Sequence, residues 1–314
     1  MTNDDLIQEY DALKNGCGMV RLTNWTLLEL TGADRKSFLH NFCTADVKAL
    51  EDGKTTEAFV LNGKGKILGF VHVAALADRL LLAGAGAQAK ALIEHLDKYI
   101  IREDVTIKDL FDESEFVFVG GTAAASNLKE AFQVELEFGG TQDCTTGSGI
   151  NFAILHGEIA GPGFLLLVNK KHYSKVVELV GGCTACTAEA LEVVRLEHGT
   201  PWFDAEVGQS CLPQEIDRDE KAINFNKGCY LGQETVARID ALGRVNRLLR
   251  FATVGEATPK LGQEVCVDDK TVGTVLSTAK IPGTTDSIFG VLVKRSASVS
   301  GTKVKLGDHE ATIR

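Results

Sequence analysis

Positive charge is in short supply in this chain: 33 Lys and Arg against 43 Asp and Glu leave a net charge of -10. A broad nucleic-acid footprint needs clustered Lys and Arg, so no nucleic-acid partner is expected, although a local basic site remains open. Long hydrophobic runs are missing too. The stretch LLLAGAGAQAKALI is cut by glycines and Lys90 and falls short of the roughly 18 apolar residues of a membrane span, so no membrane partner is expected. The N-terminal MTNDDLIQEYDALKNG is acidic and broken by charges, unlike a secretory signal or an Arg-rich transit peptide, and the expected location is cytoplasmic. Only five prolines occur and no tract is polar enough for a disordered tail. The familiar signatures of serine hydrolases, P-loop ATPases and zinc proteases are absent, and the seven histidines form no close i, i+4 pair. Those chemistries lose their support.

Eight cysteines (Cys17, Cys43, Cys144, Cys183, Cys186, Cys211, Cys229 and Cys266) are scattered rather than packed into a dense framework. Most are expected to be reduced, buried and inert. Cys183 and Cys186 have CxxC spacing just ahead of a helix, a redox or metal pattern. No second CxxC and no spaced His pair completes a zinc site, so no metal is expected.

With 314 residues, two or three compact units are expected. Residues 20–45 read as a strand followed by a helix after Gly32, with Phe38, Leu39 and Phe42 on one face. TTEAFVLNGKGKILGFVHVAAL reads as a hairpin turning at Asn62, Gly63, Lys64 and Gly65, followed by the strand DRLLLAG. AQAKALIEHLDKYI predicts an amphipathic helix of about four turns. The middle repeats the mixture: EFVFVGG, INFAILHGE and GFLLLVN as strands, SNLKEAFQVEL and KKHYSKVVELVGG as helices. TAEALEVVRLEHG predicts a helix capped by Thr187 and stopped at Gly199. From residue 246 short alternating segments joined by Gly and Asp turns predict a small β-barrel, with the boundary between 1–245 and 246–314. No Gly-rich nucleotide turn or regular βαβ phasing is present, so the expected class is α+β rather than doubly wound.

One stretch stands apart, NKGCYLGQETVAR. Cys229 lies between Gly228 and Leu231-Gly232, close to Lys227, with a helix beginning at Gln233 or Glu234. Two readings are open. A helix N-terminus and a nearby ammonium would favour a reactive thiolate; equally, a glycine-shaped turn would pack the cysteine as a small apolar residue. Between residues 227 and 250, Lys227, Arg238, Arg244, Arg247 and Arg250 face only Glu234 and Asp240, a local excess suited to a small anionic ligand or to surface ion pairs.

The segments LDKYIIREDV, RLEHGTPWFDAEV, LPQE, KGCYLGQETVAR and GRVNRLLR, in this order over nearly the whole chain, resemble the YgfZ-type folate-binding proteins, relatives of the glycine-cleavage T-protein (aminomethyltransferase). The resemblance implies a three-unit cloverleaf, two intertwined α+β units and the C-terminal barrel, around a channel that holds tetrahydrofolate. It implies a part in iron-sulfur cluster assembly or repair, and through it in tRNA modification, with iron-sulfur enzymes or assembly proteins as partners. Cys229 is the functional thiol so implied. Arg195, Lys227, Tyr230, Gln233, Glu234, Arg238 and Arg244 are the implied folate contacts, with Glu197 a weaker candidate and an ion pair from Arg195 to Glu192 or Glu189 the structural alternative. Two departures bear on activity. Gly69 and Phe70 stand where the transferase branch has its aspartate pair, and Phe164, Leu165 and Leu166 where it has a pterin-gripping glutamate. Ordinary aminomethyl transfer is therefore not expected; a folate-dependent one-carbon transferase is the alternative.

Overall fold

The computed structural model describes residues 3–314. The chain starts a first unit with α1 (Asn3–Asn15) and β1 (Gly18–Leu22), then leaves it for a second. That second unit holds β2 (Trp25–Thr31), α2 (Arg35–His40), β3 (Thr55–Leu61), β4 (Ile67–Ala75), β5 (Leu80–Ala85), α3 (Ala89–Leu96) and β6 (Thr106–Asp109). The chain returns to the first unit with β7 (Ser114–Gly120), α4 (Ala124–Phe132), β8 (Thr141–Thr145), β9 (Asn151–Glu158), β10 (Pro162–Asn169), α5 (Tyr173–Leu179) and β11 (Thr184–Ala185). Then α6 (Ala188–His198), α7 (Asp219–Ala222) and α8 (Gln233–Leu242) lead to the third unit. It contains β12 (Arg247–Val254), β13 (Glu264–Val267), β14 (Lys270–Lys280), β15 (Ser287–Lys294), β16 (Lys303–Leu306) and β17 (His309–Ile313).

The first unit is a sheet of order β11-β1-β7-β10-β9-β8, the second a sheet of order β3-β4-β5-β2-β6, and the third a closed barrel of order β12-β15-β14-β13-β16-β17. Within the first sheet, β1 meets β11 in parallel and β7 antiparallel. The class is α+β, built as three units, as expected.

The sequence pattern explains why these layers form. β4 is apolar on both faces and buried along almost its whole length. Val71, Val73 and Ala75 pack with Leu39 of α2 and Leu92 of α3, while Phe70 and Ala74 belong to clusters on the opposite face. A strand covered on both sides reads as a continuous apolar run. α6 begins with Thr187 accepting a hydrogen bond from the Ala190 amide and ends at Gly199 in left-handed geometry (φ 66°), as its sequence predicts. It buries residues around its circumference, because it packs on α1 on one side and on barrel strands β14 and β15 on another.

Three expectations are revised. The helix predicted over residues 87–100 is shorter: α3 ends at Leu96 and tightens into a 3-10 turn over Asp97–Tyr99. SNLKEAFQVEL stops at Phe132, since Gln133 is left-handed (φ 59°) and Val134 turns into the core. Cys183 forms a disulfide with Cys17, so the CxxC pair is not the unit. That bond ties the loop ahead of β1 to the loop ahead of β11, while the Cys186 thiol donates to the Thr184 carbonyl oxygen at 3.2 Å. Among the described residues no helix is long and apolar enough to cross a membrane.

Candidate functional site

The Lys227–Leu231 loop is stapled to the second unit at both ends. The Lys227 ammonium points inward, 7% exposed, and donates to the carbonyl oxygens of His40 (2.6 Å), Cys43 (2.8 Å) and Ala45 (2.6 Å). Three acceptors saturate its three N–H groups. Four residues on, the Leu231 amide donates to the Asn41 carbonyl oxygen at 2.9 Å. Cys229 sits between these staples and is exposed. Tyr230 turns the other way, buried, with its ring 4.9 Å from the Lys227 ammonium and its hydroxyl pKa pushed up to about 12 by burial.

Gly232 follows in left-handed geometry (φ 84°) as the N-cap of α8. A Cβ there would lie 2.6 Å from the Asn62 carbonyl oxygen and 3.1 Å from the Gly65 Cα. The second glycine of the motif is thus required where the Asn62–Gly65 turn of the β3–β4 hairpin touches the start of α8. Gln233 is half-buried, and Glu234, Arg238 and Arg244 are exposed along or beyond α8. The basic run does not act as one cluster: Arg247 pairs with Glu215 at 2.8 Å and Arg250 with Asp217 at 2.6 Å.

Two expected roles do not match this geometry. Lys227 is committed to backbone carbonyls, and burial lowers its pKa, so its ammonium serves the loop's architecture rather than a ligand. Arg195 is completely buried and uses all five N–H groups inside the protein. Its Nε and one Nη bond Glu192 at 2.8 and 2.5 Å; the two Nη atoms bond Glu206 at 2.9 and 3.0 Å, and one also bonds the Thr200 carbonyl oxygen at 2.8 Å. Burial works against this charge, but Glu206 and Glu192 outweigh it and raise the pKa above the ordinary arginine value. Glu206 also accepts from the Trp202 amide at 3.0 Å, and the Trp202 ring lies 4.8 Å from the guanidinium. RLEHGTPWFDAEV is one folded knot around Arg195, with the expected Glu192 pair as part of it. Glu197 bonds Lys14 and Tyr10, each at 2.9 Å.

Two cavities open beside these elements. One of about 680 Å³ lies between the end of α6, the Ile216–Arg218 segment and the barrel; its charged lining is Arg218, Arg250, Arg295 and Arg314 against Glu197 and Asp217. The Arg295 and Arg314 guanidinium groups form no hydrogen bond or ion pair among the described residues. Arg218 reaches inward to Glu57 and, at 2.9 Å, to Glu158, around the buried His72. No residue from 227 to 244 lines this cleft, so Cys229 is not at its rim. The second cavity, about 490 Å³, is lined by the Glu220–Asn226 segment with Asp46 and Thr56 and ends one residue before Lys227. Arg218, Arg295, Arg314 and Asp46 carried no functional signal in the sequence, because each depends on neighbours distant along the chain.

The family model described as the GCVT N-terminal domain matches residues 2–227. The tRNA-modifying protein YgfZ of Yersinia pseudotuberculosis is 28% identical over 294 residues, covering 91% of this chain and 88% of that protein.

The chain belongs to the GCVT family, as a YgfZ-type member.

A chloroplastic protein of Arabidopsis thaliana whose name proposes a transferase is 27% identical over 308 residues, covering 96% of this chain and 70% of that protein. The crystal structure of the glycine cleavage system aminomethyltransferase T from Bartonella henselae superposes with a TM-score of 0.87 at 17% identity, over 98% of this chain and 88% of that one, and establishes the shared fold.

Within this YgfZ-type chain, the positions expected to depart from the transferase pattern are filled by packing. A Cβ on Gly69 would lie 2.7 Å from Leu92 Cδ2 and 2.8 Å from Gln88 Oε1. Gln88, fully buried, grips the same strand: it accepts from the Phe70 amide at 2.8 Å and donates to the Phe70 carbonyl oxygen at 2.9 Å. The Phe70 ring stacks on Phe59 at 4.9 Å. Phe164, Leu165 and Leu166 are all buried in β10, and the Phe164 ring stacks on His156 at 4.0 Å. A side chain at Gly69 is thus blocked, and Phe70, Phe164, Leu165 and Leu166 supply no carboxylate at the other positions.

Proposed function

We propose that this chain supports tRNA modification through assembly or repair of iron-sulfur clusters, using the Cys229 thiol and a reduced folate, and performs no ordinary aminomethyl transfer. The observation that carries the reading is the exposed Cys229 on a loop locked by Lys227 and Leu231. A merely structural cysteine would be turned into the core, as Cys43, Cys144 and Cys211 are. The relatives named as tRNA-modifying proteins support the biological role.

Folate binding is known among GcvT-like proteins, and the arginine-lined cleft is the place for it here. Its size suits a ligand of that class, and the free Arg295 and Arg314 forks match the carboxylates of a glutamate tail. Transfer of an aminomethyl group is disfavoured because Gln88 and Leu92 occupy the space at Gly69, and because Glu57 and Glu158 are neutralised by Arg218 together with Lys221.

The test is complementation of a strain lacking its own YgfZ-type protein, read by mass spectrometry of modified tRNA nucleosides. The wild-type chain restores them and Cys229→Ala does not; equal restoration by both removes the thiol role. Calorimetric titration with reduced folate should saturate, and a flat titration removes the cofactor. Formation of 5,10-methylenetetrahydrofolate from an aminomethylated lipoyl carrier should stay at background; turnover above it would establish the transferase alternative.

A further inference from the structure

We propose that the groove between α2 and the turn that follows α3 binds a single unpaired nucleotide, with its base on the Tyr99 ring and its phosphate on Arg102. The inference goes beyond the function proposed above and depends neither on Cys229 nor on folate. The groove holds about 370 Å³, at the lower end of the range of small-molecule sites and little more than half the size of the arginine-lined cleft. Its walls come from separate stretches of the second unit: α2 with its flanking residues forms one, and the segment from Tyr99 to Glu103 forms the other.

The apolar floor is a fixed stack of rings. Phe38 and Phe42 are buried with their centroids 4.9 Å apart, and Tyr99 lies 4.7 Å from Phe42. His95 stands edge-on to Phe42 at 6.3 Å and to Tyr99 at 5.5 Å. Tyr99 is thus held by two neighbours, yet 38% of it stays exposed. A fixed, solvent-facing aromatic ring is a stacking surface for a planar heterocycle.

The polar lining is unspent, and each group matches a different part of a nucleotide. The Asn41 side-chain amide, the Tyr99 hydroxyl and the Arg102 guanidinium make no hydrogen bond or ion pair among the described residues. Arg21 shows the contrast: it covers the Tyr173 ring but spends its Nε and one Nη on Glu115, both at 2.7 Å. An amide offers a donor and an acceptor in one plane, the pattern that reads a base edge. The two carboxylates of the groove are fixed on backbone amides. Asp34 Oδ2 accepts from Asp104 at 2.9 Å, and Glu103 Oε2 from Ile101 and Arg102 at 2.8 and 2.9 Å. The second oxygen of each is left to accept from an exocyclic amino group, as a carboxylate does from cytosine. Arg102 supplies the cation for the phosphate. A net charge of -10 denies the chain a broad nucleic-acid footprint, but one phosphate needs only one free guanidinium. The groove also adjoins the thiol loop, because the Asn41 carbonyl oxygen holds the Leu231 amide at 2.9 Å.

Calorimetric titration of the full chain with AMP, GMP, CMP and UMP tests the site. Adenine, guanine and cytosine carry an exocyclic amino group and uracil does not, so UMP should bind weakest. Tyr99→Ala should weaken binding on the order of tenfold through lost stacking. Arg102→Ala, at an exposed position, should weaken the nucleotide and leave the feebler binding of the matching nucleoside unchanged. Thermal unfolding checks that each variant is folded, and Arg102→Ala carries the test if Tyr99→Ala is not. A short single-stranded oligoribonucleotide separates the two sources of such a ligand. Saturation by mononucleotides assigns a free nucleotide, and saturation by the oligonucleotide alone assigns an unpaired nucleotide of an RNA. No saturation by either, or affinities that a folded variant leaves untouched, would overturn the proposal. Displacement of the nucleotide by reduced folate would overturn it too, since one site would then serve both. The folate and thiol readings stand or fall on their own measurements above.

Discussion

The Arg195 knot and the Cys229 loop are both dense in charged and polar residues, yet they use them in opposite ways. Around Arg195 every donor turns inward: a guanidinium, two carboxylates and an indole bind one another at the foot of α6. At the loop only Lys227 and Tyr230 turn inward, and what they secure is the outward position of Cys229. A buried ion network costs desolvation and is retained where its geometry is complete. An exposed thiol on a fixed backbone contributes little to stability, so its rigid support points to chemistry. Richness in charge therefore does not mark the proposed site, which is placed where a free thiol is left facing solvent by neighbours that are fully satisfied.

That contrast can be broken by mutation, and the largest effect falls on the knot. Arg195→Met leaves Glu192 and Glu206 without their partner and should lower stability by about 3–5 kcal/mol in urea unfolding, while alkylation of Cys229 in the folded fraction stays unchanged. Ahead of the same helix, loss of the Cys17–Cys183 bond in Cys17→Ser should cost about 2–5 kcal/mol by thermal unfolding. Thiol titration of the denatured wild type should count six free groups before reduction and eight after it.

On the loop side, Lys227→Met strips three carbonyl oxygens of their donor and should cost about 2–3 kcal/mol. Hydrogen exchange at residues 227–231 should quicken with it. Upstream, Asp219 has its pKa raised to about 6 by burial and by Asp217 and Asp240. Because its folded pKa lies above the ordinary 3.8, its stabilising contribution is complete below that value and is lost as pH rises through about 6. Asp219→Asn should therefore be the more stable protein at pH 7 by about 1–2 kcal/mol, discounted for its partial exposure, with the gap closed at pH 4. Cys229→Ser is the smallest perturbation, within about 0.5 kcal/mol. If it proves as costly as Lys227→Met, the thiol belongs to the architecture and the contrast collapses.

Much of the fold was legible from local pattern. The both-faces apolar run of β4, the Thr187 cap and Gly199 stop of α6, the hairpin turn at Asn62–Gly65 and the short alternating segments of the barrel follow from periodicity and turn chemistry. The candidate site was legible only in part. The glycine-flanked cysteine ahead of a helix left two readings of Cys229 open and suggested that Lys227 would serve the thiol; the family resemblance chose Cys229 and suggested that Arg195 would face a channel.

What the sequence determined by itself is therefore the set of elements and the position of the cysteine, because both are written in residues near one another along the chain. Tertiary structure alone decided the rest. It joined Cys17 to Cys183 across 166 residues, turned Arg195 into a knot, buried Lys227 against α2, set Gly232 against Gly65 and brought His40 and Asp46 beneath the loop. Local propensity says which way a helix or strand will form; which side chain ends up opposite which is settled only when separate units pack and each buried donor must find an acceptor.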